Sequence, residues 1–244
     1  MKHGSIHLVG GLVVAALVLG AANPGEHVSL AAGVILYVDA DAAGAENGTS
    51  WMDAFTDLQD ALDIAESGDQ IWVAEGTYKP AIVDENVSDR YRTFQMKNGV
   101  ALYGGFDPTV GDEAWEERDW EANQTILSGD LNGDDGPNFA NYTENCYHVF
   151  YHSMEMTALD ESAILDGFTI TGGYANGSGE YVTGGGMFNY MSSPTITNVV
   201  FMLNYATYGG GMVNTNGSDP VLTGTTFLAN SAVLGGGMAN YTGS

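Results

Sequence analysis

Gly184-Gly185-Gly186-Met187, Gly209-Gly210-Gly211-Met212 and Gly235-Gly236-Gly237-Met238 are one phrase written three times, at offsets of 25 and 26 residues. Two residues after each methionine stands an asparagine: Asn189, Asn214 and Asn240. Phe201-Met202-Leu203-Asn204 and Phe227-Leu228-Ala229-Asn230 recur in the same phase, as do Pro194-Thr195-Ile196-Thr197 and Pro220-Val221-Leu222-Thr223. A short period of this kind marks a unit that cannot bury its own apolar face and must stack on its neighbours.

The period also selects the kind of stack. About 25 residues hold three short strands and three turns, with no room for two helices. Thr, Val, Ile, Phe and Tyr fill the spaces between glycines and asparagines, which is strand-and-turn chemistry. Successive units are expected to pair as parallel strands roughly 4.8 Å apart, so that equivalent residues form ladders. Phe201 then lies over Phe227, Asn204 over Asn230, and Met187 over Met212 over Met238. Asparagine is expected at left-handed turn positions, where its amide bonds to the unit above and below, and glycine at corners of positive φ. The expected fold is all-β, a right-handed parallel β-helix of about seven turns from residue 70 on, roughly 34 Å long.

One helix stands out in front of it. Thr56-Asp57-Leu58-Gln59 reads as a capping box. Phe55, Leu58, Ala61, Leu62 and Ala65 recur at helical spacing, and Gly68 sits where a helix stops. Laid over the first turn of the stack, this amphipathic helix hides its unpaired edge. Residues 36–69 are thus expected as an N-terminal strand and capping helix, and 70–244 as the stack. Asn176–Tyr181 reads as an insertion on one turn. The stack has begun a new turn when the sequence reaches Ser244, which suggests a piece of a longer protein.

Residues 1–22 read as an export signal. Lys2 and His3 precede an apolar run from Leu8 to Leu19, too short to span a bilayer, and small residues follow at Gly20, Ala21 and Ala22. A second cleavage site is offered by Ser29-Leu30-Ala31. No second apolar run follows, so the mature chain is expected to carry no transmembrane segment. The 244 residues include 6 Lys+Arg and 31 Asp+Glu, a formal net charge of −25. That balance excludes nucleic acid and anionic membranes as partners and suits salty water or bound calcium. Cys146 is the lone cysteine, so no intrachain disulfide forms.

The repeats carry a family resemblance. Phe201…Asn204, Phe227…Asn230 and the three Gly-Gly-Gly-Met segments resemble the repeat signature of polymorphic outer membrane proteins. Tyr37-Val38-Asp39, Gly48-Thr49-Ser50-Trp51, Asp57-Leu58-Gln59-Asp60-Ala61-Leu62 and Gly76-Thr77-Tyr78 resemble the start of secreted bacterial right-handed β-helix proteins of the pectin-lyase-like fold. Two departures stand out: a third glycine replaces the alanine common in the chlamydial repeats, and the C-terminal barrel of those autotransporters is absent. The resemblance implies a secreted, cell-surface or outer-membrane protein, often adhesive, whose partners are surface or extracellular glycans or proteins.

Chemistry is sparse. Polysaccharide lyases that resemble this fold use an Arg or Lys base on the stack and calcium on the uronate, and no Lys or Arg follows Arg118. Glycoside hydrolysis needs converging carboxylates. Asp130, Asp134, Asp135, Asp160, Glu161 and Asp166 are the candidates, but the regular units from Gly184 on carry Asp219 alone. No catalytic residue is therefore expected, and a hydrolase is the alternative. A carbohydrate-binding module is another, with Trp115, Trp120, Tyr181 and Tyr190 as a stacking face. Asp130-Leu131-Asn132-Gly133-Asp134 matches the first half of a calcium loop, which makes Asp130, Asn132 and Asp134 candidate ligands. The glycine that should follow falls one position late, and position twelve is Asn141. Cys146, His148 and His152 share parity, a weak zinc signal.

Overall fold

The computed structural model describes residues 33–81, 88–109 and 114–241. Both candidate export cleavage sites lie outside these residues. Among these residues, eighteen strands of two to six residues, one α-helix and five short 3-10 turns make up the regular structure. The strands form four sheets, every strand pairing is parallel, and none of the sheets closes into a barrel. The all-β, parallel-sheet expectation therefore holds.

The repeat period governs the topology. Ile164–Asp166, Phe168–Thr171, Tyr174–Ala175 and Met187–Tyr190 enter the six-, five-, three- and four-stranded sheets in turn. Thr195–Thr197, Val200–Met202, Tyr205–Tyr208 and Met212–Thr215 repeat that order. So do Val221–Thr223, Thr226–Leu228, Ser231–Leu234 and Met238–Tyr241. Each period holds four strand segments where three were expected, because residues after Asn204 and Asn230 also extend and pair. The longest sheet has six strands. Its first, Ile35–Val38, precedes the helix and pairs in register with Gln70–Ala74.

The pairing places like on like. Leu36, Ile71, Leu102, Leu165, Ile196 and Leu222 run through the six-stranded sheet as one aliphatic column. Tyr78, Leu127, Ile170, Phe201 and Phe227 form a second. Phe201 is fully buried, and its ring stacks on that of Phe227 at 5.1 Å and 12°. Phe150, Met187, Met212 and Met238 form a third. Each fully buried side chain of this size contributes about 1.5–3 kcal/mol.

The asparagines behave differently from expectation. Asn189 and Asn214 lie in strands and point into the core, where Asn189 Nδ2 donates to Asn214 Oδ1 and Asn214 Nδ2 to Asn240 Oδ1, both at 2.9 Å. At the other ladder the left-handed residues are Leu203 and Ala229, both at φ 53°. The asparagines that follow hold those turns: Asn204 Nδ2 donates to Ile170 O and to Asn230 Oδ1, and Asn204 Oδ1 accepts from Gly173 N. An amide that both donates and accepts relieves a backbone turned away from its own sheet, so the strain can rest on a neighbour. In the glycine triplets only the first residue, such as Gly209 at φ 57°, needs positive φ. The others are there for space: a Cβ on Gly186 would lie 2.5 Å from Gly211 O.

The helix spans Leu58–Ile64. Its cap is Asp57 rather than Thr56, with the carboxylate accepting from Gln59 N at 2.8 Å. It ends at Ala65, three residues before Gly68. Leu58, Ala61 and Leu62 are buried in the main core beside Leu36 and Val38 of the sheet's first strand. Before the next sheet strand the chain makes a single parallel bridge, Phe94 to Phe150.

Candidate functional site

The calcium candidates sit on the loop after the strand Thr125–Ser128. The Asp130 carboxylate turns inward on its own loop, with Oδ1 accepting from Gly133 N and Asp134 N and Oδ2 from Asp135 N. Asn141 adopts φ 67° and donates its amide to Asp134 O at 2.8 Å. That folds the short turn Tyr142–Glu144 back onto the loop. Oxygens of Asp130, Asp134 and Glu144 then lie within 4.8 Å of one another. Glu144 Oε1 is buried without a hydrogen-bond partner. A set of hard carboxylate oxygens suits calcium better than zinc or copper. Asn132 lies exposed on the same loop. Glu144 escapes a sequence reading because it falls beyond the twelve-residue window; the left-handed Asn141 is the local signal that the chain doubles back.

The other acids are dispersed into structural tasks. Asp166 pairs with Arg118 at 2.8 Å and accepts from Asn198 Nδ2 at 3.1 Å. Asp160 accepts from Ser162 N at 2.9 Å and from Ser162 Oγ within one exposed turn, which holds its carboxyl below the usual range. Asp135 bonds to Asn145 Nδ2 at 2.9 Å.

The zinc candidates do not converge. Among the described residues, Asp130, Asp134 and Glu144 are the sole group of His, Cys, Asp and Glu close enough to share an ion. His152 points inward from its strand, with Nδ1 2.9 Å from Asn189 Oδ1 and Nε2 accepting from Met96 N. The His148 ring instead stacks on the outward-facing Tyr151, 4.9 Å away, and its Nδ1 lies 3.0 Å from Gly184 O. Parity fails because the regular strand begins at Phe150. Burial pushes both rings down to about 4, so both are neutral near pH 7. Burial also pushes the Cys146 thiol up to about 12.

The four aromatic candidates lie in three places. Trp115 and Trp120 flank the Arg118 guanidinium at 5.3 and 4.9 Å. The Tyr190 hydroxyl accepts from Asn216 Nδ2 at 2.8 Å, on the four-stranded sheet. Tyr181 belongs to a cluster with Tyr91, Tyr147, Tyr151 and His148, none of them but His148 and Tyr181 singled out by the sequence.

No protein-family model matches the chain, and neither a curated protein nor a solved structure matches it. Among the described residues, no helix is long and apolar enough to cross a membrane.

Proposed function

We propose that the chain is a right-handed parallel β-helix of the pectin-lyase-like kind, exported, and used outside the cell or at its surface as a non-enzymatic scaffold. What supports this reading is the fate of the repeated residues. Each repeated side chain meets its own equivalent one period away, as in Asn189–Asn214–Asn240 and Phe201–Phe227. The repeats are thus accounted for by stacking. The hand follows from the strong chirality of parallel crossovers. Length and rigidity are what such a stack supplies: it holds a surface or a further domain at a distance, or presents a face to surface glycans or proteins. Calcium at Asp130, Asp134 and Glu144 belongs to the same reading, as a clamp on an irregular loop of a chain with net charge −25.

The test is a cleavage screen of the purified chain against pectate, alginate and neutral plant and algal glycans, with calcium present. The scaffold reading expects no product. Cleavage that disappears on replacing Asp130, Asp134 or Asp166 would establish the hydrolase instead.

A further inference from the structure

An insertion between Tyr174 and Met187 gathers aromatic rings that no ladder needs. From Tyr174 to Met187 the chain takes 13 residues, where Tyr205 to Met212 and Ser231 to Met238 take 7. The extra residues form a short turn, Gly179–Val182, that brings Tyr181 against the outer side of the four-stranded sheet. There Tyr181 meets Tyr91 at 4.9 Å, Tyr147 at 5.1 Å and Tyr151 at 5.7 Å. Tyr91 and Tyr147 close the triangle at 5.1 Å. Behind them Tyr151 stacks on His148 and on Phe188. The three tyrosines, Tyr151, His148 and Gln95 line a cavity of about 220 Å³. Tyr91, at its rim, is 42% exposed.

Its charges are already spent. Arg90 lies 4.1 Å over the Tyr147 ring and donates to Asn145 O, Tyr174 O and Asn176 Oδ1. That puts a fixed cation on a ring face a cationic ligand would need. Arg92 is paired with Asp89 at 2.7 Å, and the Glu180 carboxylate accepts from the Tyr151 hydroxyl at 2.6 Å. An anion would also meet the field of a chain with net charge −25. The rest of the lining is neutral: the tyrosine side chains and the Gln95 amide supply hydrogen-bond donors and acceptors without a net charge.

We infer that this cup binds one neutral sugar ring, a hexopyranose at the end of a glycan. Tyrosine faces pack against its C–H face. Its hydroxyls both give and accept hydrogen bonds, as do the side chains of Tyr91, Tyr147 and Gln95 that line the cup. The volume lies below the 300–1,000 Å³ of sites for larger ligands, which limits the occupant to about one ring. This is a binding function beyond the scaffold, and glycan cleavage elsewhere on the chain would leave it standing.

Titration of the full chain with the methyl glycosides of glucose, galactose and mannose, and with N-acetylglucosamine, tests it by calorimetry and tyrosine NMR. Glucuronate and choline serve as the charged controls. At least one neutral sugar saturates, with both controls about tenfold weaker or worse. Tyr181→Ala and Tyr91→Ala each weaken that sugar about tenfold, equivalent to one ring contact. Trp120→Ala, remote from the cup, leaves affinity unchanged, and Tyr91→Phe, which keeps the ring, loses less than Tyr91→Ala. Circular dichroism checks that each variant is folded; the exposed rim residue Tyr91 carries the test if Tyr181→Ala unfolds. Absence of saturation by every neutral sugar, stronger binding of glucuronate or choline, or undiminished affinity in Tyr91→Ala would overturn the inference.

Discussion

His152 stands at the head of the asparagine ladder. Its Nδ1 lies 2.9 Å from Asn189 Oδ1, and Asn189 passes the chain of hydrogen bonds on to Asn214 and Asn240. His152 and Asn189 are register partners, so a histidine fills an asparagine's place one period earlier. Its other nitrogen accepts from Met96 N at 3.4 Å. A neutral ring therefore starts the ladder on one side and ties down an irregular segment on the other.

This arrangement makes the fold acid-sensitive in a defined window. Burial holds His152 and His148 at about 4, against about 6.5 for a free ring. As pH falls, the unfolded chain takes up these protons first. Stability is therefore full above pH 6.5 and is lost between 6.5 and 4, by roughly 3 kcal/mol for each ring. His152→Asn extends the ladder with an amide that does not titrate. Thermal melts from pH 7 to 4.5 should show a clearly smaller drop in Tm for His152→Asn than for the parent. An equal drop would remove His152 from the account.

The stacked phenylalanines differ in how much they carry. Phe201 is fully buried, with Ile170 on one side and Phe227 on the other. Phe227 is only partly buried. Phe201→Ala should cost about 3–5 kcal/mol in denaturant melts, and Phe227→Ala distinctly less, because a cavity forms only where the surroundings cannot collapse. Equal costs would mean that Phe227 is covered in solution.

Much of this was readable in advance, because repetition is a sequence property that survives folding. The Phe201–Phe227 and Met187–Met212–Met238 columns follow from the period alone, since parallel in-register pairing puts equivalent residues together. The roles within a turn were less readable. Leu203 and Ala229 take the left-handed conformation while Asn204 and Asn230 relieve it, and propensity points to the wrong member of each pair. The candidate sites were hardest. Glu144 reaches Asp130 through a fold-back at Asn141, and Tyr91 reaches Tyr181 from 90 residues away; neither meeting has a period. The rings that make the cup sit in the irregular front and in the insertion, where register offers no guide.

Arg118 and Asp166 form a further structural joint. The Arg118 side chain is 3% exposed, bonds to Gly104 O, Asp166 O and the Asp166 carboxylate, and lies among Tyr103, Trp115 and Trp120. It fastens the outer loop to the corner between Ile164–Asp166 and Phe168–Thr171. Asp166→Ala leaves the guanidinium buried and unpaired, a loss of about 3–5 kcal/mol for pairs of this kind. Loss of stability in Asp166→Ala, measured by urea denaturation, supports the joint. A fully stable variant would free Asp166 for another task.

The acidic loop predicts a response to calcium. Asp130, Asp134 and Glu144 present oxygens within 4.8 Å of one another, and their mutual repulsion falls when a divalent cation sits between them. An ion that binds the folded chain alone stabilises it by about 2.7 kcal/mol at a hundred times its Kd. For a chain of this size that raises Tm by roughly 5–10 °C. Chelation should reverse the rise. Glu144→Gln and Asp134→Asn should each shrink it, whereas Asn132→Ala should leave it intact, because the third carboxylate in the group is Glu144. A shift that survives Glu144→Gln and vanishes in Asn132→Ala would return the site to a simple loop motif. A Tm unmoved by either calcium or chelator would make the same three acids a solvated turn, held together by the Asp130 and Asn141 hydrogen bonds alone.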